Sequence, residues 1–143
     1  MRVLAVDVGA RRIGLAISDR SRTLARPLAT ITVRSASEGV RQVAETIARL
    51  SAEDDGLATV VVGMPARLDG SPTEQTARAV AFVNALREAT GNAGVTITTE
   101  DERLTSREAE SRLALGERDW RRRKEKLDSA AAAVFLQDYL DRL

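Results

Sequence analysis

The sequence has neither cysteine nor histidine among its 143 residues. The missing cysteines exclude disulfide bonds and thiolate nucleophiles, and the two absences together exclude the usual zinc sites and every His-based catalytic triad. A metal ion would therefore need oxygen ligands, which favours Mg²⁺ or Mn²⁺. A general base would have to be a carboxylate, a lysine, a tyrosine or a metal-bound hydroxide.

Long hydrophobic runs and an excess of one charge are also absent. No apolar segment approaches the ~18 residues of a membrane span, and the first residues, MRVLAVDVG, lack the features of a signal peptide. We therefore expect a cytoplasmic protein without a membrane partner. The composition, 43% hydrophobic and 30% charged, predicts one globular domain over 1–143. The net charge is only +1, so a nucleic-acid partner would need local basic patches.

Hydrophobic patterning predicts an α/β fold. Strands are expected at 2–9, 12–19, 24–33, 59–64 and 95–102. Helices are expected from Ser35 or Ser37 to about Leu50, then at 73–90, 106–115 and 127–142, with a charged loop at 116–126. Right-handed crossovers then give a five-stranded mixed sheet of order 3-2-1-4-5, with strand 2 antiparallel, strand 3 at an edge because of Pro27, and helices on both faces.

Acidic residues stand where such a sheet would bring them together. Asp7 ends strand 1, Asp101 and Glu102 end strand 5, and Asp128 opens the predicted last helix. Gathered around two cations, these carboxylates would form a clamp for phosphodiester cleavage. Without a cation they would repel one another, so metal binding should stabilise the fold. Each acid also has a structural explanation: a turn aspartate, a solvated strand end and a helix N-cap, respectively.

Strand 5 lies two places from strand 1, so roughly 10 Å separates their backbones. We favour Glu102 over Asp101 as the ligand because its side chain reaches further. The expected metal ligands are thus Asp7, Glu102 and Asp128.

Four motifs, DVGARRIGLAISD, GMPARLDG, TEDERLTSREA and KEKLDSAAAAVFLQDYL, together resemble the YqgF/RuvX family of Holliday-junction-resolvase-like proteins. The match runs from Val3 to Leu140. The resemblance implies a ribonuclease H-like fold and a metal-dependent nuclease that matures the 5′ end of pre-16S ribosomal RNA. It carries over Asp7 from the DxG motif, Asp101 or Glu102 from DER, and Asp128 from the closing KxD motif.

Basic residues near these acids are candidate contacts for nucleic acid. Arg11 and Arg12 would hold a phosphate beside the metals, or are simply part of a solvated turn. Gly9 and Gly14 would let the backbone approach the substrate, or are turn and bulge residues. Trp120 would stack on an unpaired base, or fold onto the body of the protein. Further candidates are Arg67, Arg103, Arg121, Arg122, Arg123 and Lys124.

Other functions fit parts of the pattern. DxGxxxxG before a hairpin also begins phosphotransferases of the actin and sugar-kinase type, but those enzymes need a duplicated domain. A Holliday-junction or branched-DNA resolvase, or an inactive RNA-binding factor of ribosome assembly, would keep the same fold. RNA is the expected partner, with branched or single-stranded DNA as the alternative. Exposed parts of the helices at 73–90 and 127–142 would allow a homodimer.

Overall fold

The computed structural model describes residues 1–64, 73–91, 93–101 and 120–143, with side chains in the last range from Asp128 onwards. These ranges contain five strands and three helices. The strands are β1 (Arg2–Val8), β2 (Arg12–Ser18), β3 (Ala25–Thr32), β4 (Leu57–Met64) and β5 (Thr96–Asp101). The helices are α1 (Ala36–Ala52), α2 (Glu74–Ala89) and α3 (Trp120–Asp141). The helix expected at 106–115 lies outside the described residues.

The strands form one mixed sheet in the order β3-β2-β1-β4-β5, which confirms the predicted order. β2 is antiparallel to β1 and β3, whereas β4 is parallel to β1 and β5. Pro27 lies on the edge strand β3, as expected. The β2–β3 register shifts between Leu15 and Ala16, beside the pairing of Ala16 with Pro27, and a bulge is a usual place for a proline because it has no N–H to donate.

Hydrophobic cores lie on both faces of the sheet. Leu4, Val6 and Val8 of β1 are buried with side chains of α1 and α2. Val3 and Ala5 face the opposite way and are buried with the α3 residues Ala132, Phe135, Leu136 and Leu140. The side chains of β1 therefore alternate between the two cores, and this alternation places Asp7 on the face that α3 covers.

The first two helices begin at residues whose side chains bind free backbone N–H groups. Ser35 is the N-cap of α1, because its Oγ accepts a hydrogen bond from the Glu38 N–H at 3.2 Å. Thr73 caps α2 and exchanges bonds with Thr76 in a capping box. Within the described ranges, no helix is both long enough and apolar enough to cross a membrane.

The third helix corrects the sequence prediction. α3 begins at Trp120, so the expected loop at 116–126 is wrong from that residue onwards, and the expected helix start at 127 is wrong as well. Arginine, lysine and glutamate are good helix formers, and the high charge of WRRRKEK is compatible with a helix. Asp128 consequently lies about two turns inside α3, and the N-cap explanation for it is wrong.

Candidate active site

Asp7 stands near the carboxyl end of β1, half-buried, and is paired across the sheet with Gly14 of β2. The two strands are joined by a tight turn, in which the Gly9 N–H donates to the Arg12 carbonyl at 2.9 Å. A Cβ on Gly9 would stand 2.7 Å from that carbonyl oxygen. Gly9 is therefore explained by the turn itself. The turn sets Arg12 two residues before Gly14, on the same face of the sheet as Asp7.

Arg12 and Asp128 form an ion pair between β2 and α3. The Arg12 Nε donates to the Asp128 Oδ2 at 2.6 Å, and the two side chains are only 31% and 28% exposed. A charge-assisted bond of this length fixes both groups. The sequence suggests Arg12 as a phosphate contact, whereas in the structure its Nε holds a carboxylate of the protein.

The backbone of α3 lies directly against β2 at Gly14. A Cβ at position 14 would overlap the Asp128 carbonyl oxygen and stand 2.5 Å from its carbon and 3.1 Å from the Ser129 nitrogen. One turn further along α3, Ala132 is fully buried in the core that also contains Ala16. The sequence suggests that Gly14 admits a substrate or forms a bulge, but the group beside it is the helix that carries Asp128.

The acids of β5 divide between the two faces of the sheet. Ile97 is buried with α1 and α2, so alternation places Asp101 on that face as well, opposite to Asp7. Glu100 faces α3, and its carboxylate accepts a hydrogen bond from Arg142 at 3.2 Å. Glu100 is not among the predicted site residues, although the same alternation indicates the face on which it lies.

Several predicted contacts lie beyond the described side chains. Arg67, Glu102 and Arg103 fall outside the described residues altogether. Trp120, Arg121, Arg122, Arg123 and Lys124 belong to the first turns of α3, where only the backbone is described. Arg11 is exposed in the hairpin turn, and its carbonyl accepts a hydrogen bond from the Val33 N–H at 2.8 Å. Arg11 is thus an exposed residue of the turn that joins the two strands.

The donor set at this edge suits a hard divalent cation. Asp7 and Asp128 supply anionic oxygens, the ligands that Mg²⁺ and Mn²⁺ prefer. Among the described residues, no group of three or more acidic side chains could hold a metal ion. Asp7 and Asp128 are therefore candidate ligands by their chemistry, and a further protein ligand would have to come from elsewhere in the chain.

A cavity of about 470 Å³ lies on the other face of the sheet. Val8, Ile13 and Phe82 are among its walls, and none of its described lining residues is acidic. It shares Gly9 with the hairpin turn but contains neither Asp7 nor Asp128. The cavity is thus separate from the two carboxylates, and its described lining residues supply no carboxylate ligand for a cation.

The amino-acid sequence is also similar to those of known proteins. A family model described as "RuvX: Holliday junction resolvase" matches residues 1–142. A protein of Caldanaerobacter subterraneus subsp. tengcongensis named "Putative pre-16S rRNA nuclease" is 39% identical over 142 residues, covering 99% of this chain and 96% of that protein. A Thermus thermophilus protein of the same name is 37% identical over 142 residues, covering 99% and 98%.

A solved structure gives the same picture of the fold. Thermus thermophilus RuvC in complex with a Holliday junction substrate matches with a TM-score of 0.54 at 18% identity, covering 99% of this chain and 95% of RuvC. At this identity the likeness concerns the fold alone, and it confirms the expected ribonuclease H-like architecture.

Proposed function

The chain belongs to the RuvX family, and on that premise we propose that it is a divalent-metal-dependent nuclease that hydrolyses phosphodiester bonds of RNA. The names of the similar proteins from Caldanaerobacter and Thermus support precursor 16S ribosomal RNA as the substrate. The finer role that we propose is maturation of the 5′ end of that RNA.

One observation supports the chemistry above all others. Asp7 and Asp128 are far apart in sequence, yet β1 and α3 bring them to the same edge and the same face of the sheet, with Arg12 bound to Asp128 at 2.6 Å. The Asp7 Cα lies within about 5.5 Å of the Gly14 Cα across the antiparallel pair, and the Asp128 backbone contacts Gly14. Both carboxylates are half-buried and lie near the carboxyl end of the parallel strand β1. Ligands bind at this edge of such sheets, so a phosphodiester could reach both groups.

We assign the metal to Asp7, Asp128 and Glu102, with Mg²⁺ or Mn²⁺ as the ion. When bound, the metal would supply an activated water and stabilise the leaving oxygen. Arg12 orients the Asp128 carboxylate through the bond from its Nε to the Oδ2. Arg11, exposed in the adjacent turn, is placed to contact a neighbouring phosphate, which positions the strand without reading its sequence.

The test is cleavage of labelled precursor ribosomal RNA, single-stranded RNA and four-way junction DNA in Mg²⁺, Mn²⁺ or EDTA. We expect cleavage of the ribosomal precursor that requires a divalent ion and falls by about 100-fold or more in Asp7→Asn and Asp128→Asn, because each removes a charged ligand. Asp138→Asn makes the same chemical change on α3 at a 68% exposed side chain and should cleave like the wild type.

The other outcomes are equally informative. Preference for the junction would support a resolvase of branched DNA. RNA binding without cleavage would support an assembly factor that has lost the chemistry. Cleavage that survives EDTA and both Asp→Asn changes would contradict the proposed site.

A further inference from the structure

We propose that Gly14 is a positioning residue of this site, because its missing side chain lets α3 approach β2 closely enough for Asp128 to share a site with Asp7. The expected effect of Gly14 on metal binding rests on the proposed function. Its structural part, the contact between α3 and β2, depends only on the described residues.

The contact at Gly14 is made between backbones, which makes it difficult to relieve. A Cβ there would stand 2.5 Å from the Asp128 carbonyl carbon, whereas carbon atoms in contact lie about 3.5–4.0 Å apart. The neighbours are a β-strand and the interior of a helix, and neither can move a single carbonyl group independently. Adding one methyl group would therefore displace α3 from β2 by about 1 Å.

Such a displacement would act on Asp128 directly. The Asp128 carboxylate accepts a hydrogen bond from the Arg12 Nε at 2.6 Å. Arg12 lies on β2, two residues before Gly14. Asp7, the partner carboxylate, is paired with Gly14 itself. Lifting α3 at this point thus lengthens the Arg12–Asp128 bond and separates the two carboxylates in one movement. Mutation of a residue that supports a metal ligand typically weakens metal binding by about 10–100-fold.

The first experiment measures Mn²⁺ affinity of the RNA-free protein from the electron paramagnetic resonance of unbound Mn²⁺. We expect Gly14→Ala to bind Mn²⁺ about tenfold or more weakly than the wild type. Asp128→Glu should bind more weakly alone, but should restore part of the affinity when combined with Gly14→Ala, because its longer side chain spans the added distance. A merely destabilised fold would not show this rescue.

The matched control is Gly39→Ala in α1. A Cβ at Gly39 would meet the end of the flexible Ile13 side chain at 2.9 Å, on the opposite face of the sheet. This variant adds the same methyl group against the core without touching α3. We expect its Mn²⁺ affinity to stay within about twofold of the wild type.

A second, metal-free experiment separates this inference from the proposed function. In EDTA, stability is measured for Arg12→Gln, Asp128→Asn and the double variant, each in the wild-type background and in the Gly14→Ala background. The effects should be non-additive in the wild-type background, because the two side chains are bonded, and additive once the methyl group is present. Coupling that persists in the Gly14→Ala background overturns the proposal, whether or not the protein binds metal.

The two proposals therefore fail in different ways. A wild type that binds no Mn²⁺ contradicts the proposed nuclease, while loss of coupling in the Gly14→Ala background still supports the close contact. If Gly14→Ala does not fold, Ala132→Ser is tested in its place. It adds one atom to the same helix–sheet contact, one helical turn after Asp128. Mn²⁺ affinity and coupling that remain unchanged in that variant would overturn the proposal as well.

Discussion

Arg2 is a charged side chain in the protein interior, and its removal would test how β1 is anchored to the end of α1. The residue is only 8% exposed. Its Nε donates to the Gly56 carbonyl at 3.0 Å, and its Nη2 donates to the Leu50 carbonyl at 3.2 Å and to the Glu53 Oε1 at 3.1 Å. The Glu53 side chain is 48% exposed, so the ion pair itself contributes less than about 1 kcal/mol. The bonds to the buried carbonyls dominate.

Arg2→Met keeps the length of the side chain but removes every donor. Each charge-assisted bond is worth about 1.5–3 kcal/mol. The Leu50 carbonyl keeps the Glu53 N–H at 3.2 Å, and the Gly56 carbonyl keeps the Arg2 N–H at 3.4 Å, so neither acceptor is left without a donor. We therefore expect the free energy of unfolding to fall by about 2–3 kcal/mol rather than by the sum of both bonds. Replacing both members of a buried ion pair by apolar residues can leave stability unchanged. Arg2→Met removes only the donor, and the acceptors remain in place.

Urea denaturation followed by circular dichroism measures this loss. Arg41→Met is the matched control, since its pair with Glu45 has side chains 62% and 66% exposed and should contribute less than about 0.5 kcal/mol. Arg2→Lys, with one compact ammonium group, should fall between the wild type and Arg2→Met. If Arg2→Met loses no more stability than Arg41→Met, the interior guanidinium does not anchor β1 and the reasoning is refuted.

Two further predictions concern charges elsewhere. Arg12→Gln should lower the free energy of unfolding in EDTA by about 1–2 kcal/mol, because Asp128 loses a partly buried partner, and saturating Mn²⁺ should recover that loss; a variant as stable as the wild type but weaker in RNA binding would instead indicate a phosphate contact. Hydrogen bonds from the Thr23 and Leu24 N–H groups lower the pKa of Asp19 below its ordinary value of 3.8. The stability from this shift is present above pH 3.8 and is lost as the pH falls through the lower folded-state pKa. The difference in denaturation midpoint between wild type and Asp19→Asn should therefore be larger at about pH 6 than at about pH 2.5, and a constant difference would contradict this assignment.

The sheet was predictable because its rules are local. Alternation along β1 assigns Asp7 to the same face as Val3 and Ala5, and these two residues are buried against α3. The right-handed crossover rule predicted the strand order, and the sheet has that order. The same alternation, applied to β5 from Ile97, assigns Asp101 and Glu100 to opposite faces from the order of the residues alone.

The start of α3 and the contacts of Asp128 were not predictable for a physical reason. A run such as WRRRKEK suits a solvated loop and a solvated helix equally well, because long charged side chains favour neither state by burial. The Gly14–Asp128 contact and the Arg12–Asp128 bond join residues more than 110 positions apart. No periodicity within either segment indicates which backbones will meet, so the sequence suggested only a substrate approach, a turn or a bulge for Gly14.

These contacts also explain why a carboxylate inside a helix can be placed accurately. A residue at a helix terminus moves when the end frays, whereas Asp128, about two turns inside α3, moves only with the helix as a whole. The position of that helix is set on β2 by one backbone contact at Gly14 and one ion pair at Arg12. Asp7 is fixed to the same hairpin by its pairing with Gly14. The β1–β2 hairpin thus positions both carboxylates, so the distance between them depends on how closely α3 packs against it.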